Sequence, residues 1–272
     1  MSEIITLQVT IFGLVAVGFL VRKLEIVGAQ GQKNLNDLVI YVILPCNIFK
    51  AFLSKSGDGL WDYLGVLLIS IGIQAFCVIY GRVMFKKEPQ GRNKCMRYAT
   101  ICSNSGFLGN PIAEGLYGPQ GLMLASIYLI PQRIMMWSSG LSIFSGVKDR
   151  RQQVKKVVTH PCIIACALGI IFMLGGWGLP EGLMGIVSAL GGCNTAMSMI
   201  VIGMILSKID LHSLWDPAVL KFSIHRLVII PALVWAVCRF LPIDNETLGI
   251  CVILAAMPAG ATTGILGEKY GM

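Results

Sequence analysis

The sequence predicts an all-α membrane protein folded as two inverted repeats, each with a span interrupted by polar residues. Three observations carry this. Of 272 residues, 55% are hydrophobic and only 13% are charged, where a soluble domain has about a quarter charged. Apolar runs of about 20 residues recur, the length of a spanning helix rather than a barrel strand. The stretch Cys102 to Gly118, CSNSGFLGNPIAEGLYG, sits where a span is due yet holds Asn104, Ser105, Gly106, Gly109, Asn110, Pro111 and Glu114. Lipid-facing helices avoid such groups, and broken backbone at membrane depth persists only where protein or a water-filled cavity covers it.

The spans follow in order. Span one is about Ile4 to Val21, closed by Arg22 and Lys23, and span two is about Leu38 to Leu53, with Pro45 inside. Span three runs from about Leu60 to Tyr80, and a loop with Arg82, Lys86, Lys87, Arg92, Lys94 and Arg97 leads to span four, about Tyr98 to Tyr117. Span five is about Leu122 to Phe144 and contains Pro131 and Arg133. The basic loop VKDRRQQVKK separates the halves. Span six is about His160 to Leu174, span seven about Met184 to Leu206, interrupted by GGCNTAMS, and span eight about Leu220 to Phe240. Span nine starts near Leu248 and reads CVILAAMPAGATTGILGEKYGM.

Charge sets the topology. Loops after spans one, three and five hold nearly all the Lys and Arg, and those after four, six and eight are neutral or acidic apart from Arg239. The positive-inside rule puts the N-terminus outside and the basic loops in the cytoplasm, so the expected location is the cell membrane, multi-pass. That placement explains the net charge of +8 through topology rather than nucleic acid. Five spans before the central loop invert the second half, so residues 1–145 form one repeat and 158–272 the other, all within a single transmembrane domain. The polar interruptions match: LPCNIF in span two with GGCNTAMS in span seven, NSGFLGNP in span four with MPAGATTG in span nine. The second repeat shows four spans where the first predicts five. The expected tenth helix is missing from this chain.

Nine scattered cysteines form no CxxC pair and no metal-ligand set, and read as buried free thiols. No cofactor is expected, and the chain lacks a GxxxxGK[ST] loop for direct ATP drive and an HExxH motif or midplane acid pair for intramembrane enzymology.

Read from the residues, Pro111 removes one backbone donor and frees carbonyls near Phe107, while Gly106 and Gly109 let the backbone unwind. A half-helix starting at Pro111 would point its positive end at the break, and one starting near Thr262 would do so from the other repeat. Such paired ends suit a carboxylate. Asn104, Ser105, Asn110, Asn194, Thr262 and Thr263 either hydrogen-bond a ligand or bond between helices. Arg133 is at the depth of Gly106 to Asn110, so it either pairs with an anionic substrate or is held by backbone carbonyls. Glu114 is a candidate for proton coupling, or else sits in the outer vestibule. Lys50 and Arg226 are expected to snorkel from helix ends, and His225 to be a buried hydrogen bonder.

The sequence resembles the auxin efflux carrier family, which includes bacterial dicarboxylate permeases and plant PIN-formed carriers. The resemblance rests on LPCNIFKAF, NSGFLGNPI, HPCIIACALGIIF, MIVIGMIL and AAMPAGATTGILGEKYG. It implies two inverted five-helix repeats with crossed, broken fourth and ninth helices, the bile acid sodium symporter-like fold, working as an elevator. It also implies that helices one, two, six and seven form a scaffold, through which the protein dimerises. A break at Pro111, a ligand-lining Asn104 and a second break at Pro258 to Thr263 are implied too. The expectation is a secondary transporter of a small organic anion, coupled to a proton or sodium. The rivals are an anion channel on the same breaks and a non-transporting truncated or sensor form of the same fold.

Overall fold

The computed structural model describes residues 2–53, 60–136, 138, 141–145, 150–209, 215–260 and 262–272. Backbone groups in hydrocarbon must pair within their own segment, and the described residues are accordingly helical apart from turns and breaks. Arg22 and Lys23 close α1 (Ser2–Lys23). α2 (Ala29–Leu53) and α3 (Leu60–Met84) follow. α4 (Gln90–Ile101) stops at Cys102, and a wide π turn, Ser105–Gly109, leads into α5 (Asn110–Met135), whose two arms meet at a non-helical turn at Gly118. Short α6 (Leu141–Ser145) and α7 (Arg150–Val158) precede α8 (Pro161–Gly175), α9 (Glu181–Leu206) and α10 (Pro217–Cys238). α11 (Asn245–Ala255) and α12 (Thr262–Lys269) flank the second break.

Among the described residues, five helices are long and apolar enough to cross a membrane: most of α1 and α3, and all of α2, α9 and α10. Spans six and nine appear as the shorter apolar α8 and α11. This is a multi-pass, all-helical membrane protein. The end of span five falls partly outside the described residues. The α5 helix closes at Met135, and Phe144 lies on the separate α6.

Three π turns each end two residues before a proline. Val39–Ile43 precedes Pro45, Ser105–Gly109 precedes Pro111 and His225–Ile229 precedes Pro231. A proline ring pushes away the carbonyl four residues back, here Tyr41, Phe107 and Leu227, and the widened turn makes room for it. The helix therefore continues through Pro111 instead of breaking there. The extra residue also rotates what precedes it: Arg226 is only 3% exposed, so it is buried rather than snorkelling.

Packing falls into two groups. α1 lies along the second half of α9, where Gly18 meets the Ile200 backbone and Gly203 meets the Val15 backbone closely enough to exclude any Cβ. α2 packs on α8 and on the first half of α9. In the other group, α5 packs on α3 and α11, α11 on α10, and α12 on α4. A buried apolar cluster including Ile48, Phe52, Leu122, Leu129 and Cys166 joins the groups. At one end of the bundle, ion pairs Arg92–Asp216 (2.6 Å) and Lys221–Glu88 (2.9 Å) tie the first turn of α4 and the loop before it to the start of α10. At the other end Leu7 packs on Gly115, and Tyr117 on Gly249.

Candidate functional site

The two interrupted segments meet. Ser103 and Ala259 form an antiparallel bridge, with Asn104 N donating to Pro258 O at 2.8 Å and Gly260 N to Cys102 O at 3.0 Å. Helix ends leave orphan carbonyls that must be satisfied when buried, and here protein groups do it. Gln74 Nε2 donates to Ile101 O (2.9 Å), Gln132 Nε2 to Ser103 O (2.8 Å) and Ser105 Oγ to Leu254 O (3.0 Å). Ser103 Oγ also donates to Gln132 Oε1 (3.0 Å) and lies 2.5 Å from Ser105 Oγ. The break is thus a built junction in which side chains from α3 and α5 replace the missing helical bonds.

The fourth-span break consequently lies at Cys102–Asn104, upstream of the expected position at Pro111. Pro111 is buried inside a continuous helix, its missing donor absorbed by the π turn. The half-helix that faces the break starts at Ser105, after Asn104.

A cavity of about 310 Å³ borders the junction, lined by Asn104, Ser103, Gly106, Phe107, Gln132 and Arg133. Gly260, Thr262 and Tyr98 close the α12 side, His160 and Cys162 come from the start of α8, and Ile40 and Leu44 from α2. Three features give it positive character. The first turn after Asn104 and the start of α12 present helix N-termini, equivalent to partial positive charges. Arg133 is 6% exposed, and its Nη1 and Nη2 have no hydrogen-bond partner. The single carboxylate among the described lining residues, Asp37, is exposed on α2. Asn104 and Pro258 also line a second cavity of about 530 Å³, otherwise almost wholly apolar, between α1, α5 and α9. The junction therefore separates a mainly apolar cavity that holds Arg133 from one lined almost wholly by apolar side chains.

Asn104, Arg133 and Thr262 thus come together, with Thr262 Oγ1 accepting from Tyr98 Oη at 3.4 Å. Pro258 lies across the junction from them. Ser105 is fully buried with its hydroxyl bonded to protein. Asn110 is fully buried, lines neither cavity and makes no side-chain hydrogen bond; Thr263 Oγ1 is also buried without a partner. Asn194 starts the second half of α9, accepts from Ser198 Oγ at 3.3 Å and lies outside both cavities. Glu114 does not line Arg133's cavity and accepts from Asn47 Nδ2 at 3.0 Å. His225 bonds Tyr80 Oη at 2.5 Å. The sequence reasoning missed Gln132, Gln74 and Asn47. All three are lone amides inside apolar runs, and that was the available signal.

Known proteins point the same way. The model of the membrane transport protein family matches residues 3–272. An "Uncharacterized transporter" of Methanothermobacter thermautotrophicus is 30% identical over 93% of this chain and 84% of its own length. A protein of Rhizobium meliloti named "Putative malonate transporter" is 20% identical over the whole chain and 88% of its own length. With a family match from end to end, this chain belongs to the membrane transport proteins of the auxin efflux carrier family.

Proposed function

We propose that the protein is a secondary active transporter of a small organic anion, with its site in the cavity beside the crossed breaks. The observation that carries this is the buried guanidinium of Arg133 facing a cavity that two helix N-termini also border. A buried guanidinium whose two terminal nitrogens lack an acceptor is costly, and an incoming carboxylate supplies two acceptors in the fork geometry arginine prefers. Asn104 adds a neutral hydrogen bond, and Gly260 and Thr262 form the opposite wall. Short carboxylates fit about 310 Å³, and the name of the Rhizobium relative makes malonate a sensible first probe.

The two packing groups support an elevator reading. In it α1, α2, α8 and α9 are the scaffold, also the expected homodimer surface, and the group around α5 carries the site across. The chain is then two inverted repeats in the cell membrane, with its N-terminus outside. The Asn47–Glu114 hydrogen bond crosses from scaffold to moving group. That contact must break during transport, which makes Glu114 the candidate for proton coupling. Saturable malonate counterflow in proteoliposomes, abolished by Arg133→Ala, is the expected result. Unitary currents without saturation would mean a channel instead.

A further inference from the structure

We propose that this carrier is an obligate anion exchanger: its empty form cannot return, because Arg133 would cross the scaffold as an uncompensated buried cation. The inference rests on the carboxylate reading above and adds the mode of transport to it.

Arg133 is on α5, in the group that would move, so its charge travels with the site in every half-cycle. Among the described residues Arg133 forms no ion pair, and the one carboxylate lining its cavity is the exposed Asp37. The titratable groups close enough to feel it are His160 and the thiols of Cys162 and Cys166, none a carboxylate. Neither the Arg92–Asp216 nor the Lys221–Glu88 ion pair includes a residue that lines this cavity. Asp37 lines the cavity but is exposed and makes no ion pair with Arg133.

The path is apolar. Beyond Ile40 and Leu44, the scaffold presents buried Val39, Ile43, Val201 and Met204, against which Phe107 of the moving group already packs. An arginine passing such a surface bears the desolvation of a full charge unless a ligand carboxylate neutralises it. With the carboxylate bound, the pair moves as a hydrogen-bonded, neutral unit at that point; any second carboxylate of the ligand faces the helix N-termini. The empty carrier has no such unit. The return step thus requires an anion from the opposite side, so uptake of one anion is tied to release of another.

The test uses the full chain in proteoliposomes and labelled malonate, after its binding has been measured by thermal stabilisation in detergent. Uptake into vesicles preloaded with unlabelled malonate is expected to exceed initial uptake into empty vesicles by about 100-fold, the factor that a centrally placed arginine's insertion cost represents. Arg133→Lys keeps the charge and should keep most of that ratio. Arg133→Gln removes the charge and should bring the ratio toward one, with weak residual transport of malonic diamide, the neutral analogue. Binding and transport with equal rates into loaded and empty vesicles would overturn the exchange inference and leave the transporter reading intact. Absence of malonate binding and counterflow would remove the carboxylate reading, and the inference with it.

Discussion

At Arg133 a single side chain sets the chemistry of the cavity. It holds a delocalised charge that cannot be discharged by losing a proton, since arginine keeps its charge in proteins, so only an anion or relocation can relieve it. Arg133→Ala is therefore expected to weaken carboxylate binding at least about 10-fold, as charge-assisted hydrogen bonds are worth about 1.5–3 kcal/mol. Isothermal titration with malonate would measure it. Asn104 offers one neutral contact, and Asn104→Ala should cost about 1 kcal/mol of binding, several-fold in affinity. Ser105 behaves differently. Its hydroxyl caps Leu254 O inside the protein, so Ser105→Ala should lower thermal stability by about 1–3 kcal/mol, the cost of orphaning a buried acceptor. These three variants separate ligand contact from junction building, two roles the sequence alone leaves joined for small polar residues in one motif.

At the scale of elements, prolines mark irregular backbone without locating it. Pro111 is a sound sign of irregularity, but the irregularity is a π turn upstream of it, and the chain breaks earlier still, at Cys102–Asn104. A missing N–H is visible in a sequence; the partners that let a helix widen are not. The same turn type carries Arg226 from an expected helix-end position into the interior. Which segments are interrupted is legible, because polar residues clustered in an apolar run have no place on a lipid-facing helix. The second interrupted segment starts from α11, whose N-cap is Asp244, accepting from Glu246 N and Thr247 N at 3.0 Å each. Burial alone would raise the Asp244 carboxyl, but these hydrogen bonds outweigh it and hold it below the usual carboxylate range. Its contribution to stability is present above the unfolded carboxylate value and fades as pH falls through the lowered folded one. Asp244→Ala should cost about 1 kcal/mol at neutral pH and less in acid, which thermal melts at several pH values would read.

For the whole molecule, the two packing groups meet through apolar side chains and few polar bonds, and the Asn47–Glu114 contact is one that bridges them. Replacing the pair, Asn47→Cys with Glu114→Cys, and cross-linking it should arrest counterflow while leaving malonate binding measurable; uninterrupted counterflow in the cross-linked protein would argue against relative motion of the groups. The reversal at Gly118 bears on how such a molecule is made. Its φ of 62° and ψ of −154° fall in a region open essentially to glycine alone, and the chain turns there with no loop between α5's two arms. The arm before the turn carries the polar set Asn104 to Glu114, and neither it nor the arm that follows is among the described helices long and apolar enough to cross a membrane by length and composition. During synthesis it must therefore enter the bilayer together with the arm that follows, as a preformed helical hairpin, and not one helix at a time. Gly118→Val should leave a fraction of newly made chains with this pair stranded outside the bilayer, detectable by glycosylation tags placed beside the turn.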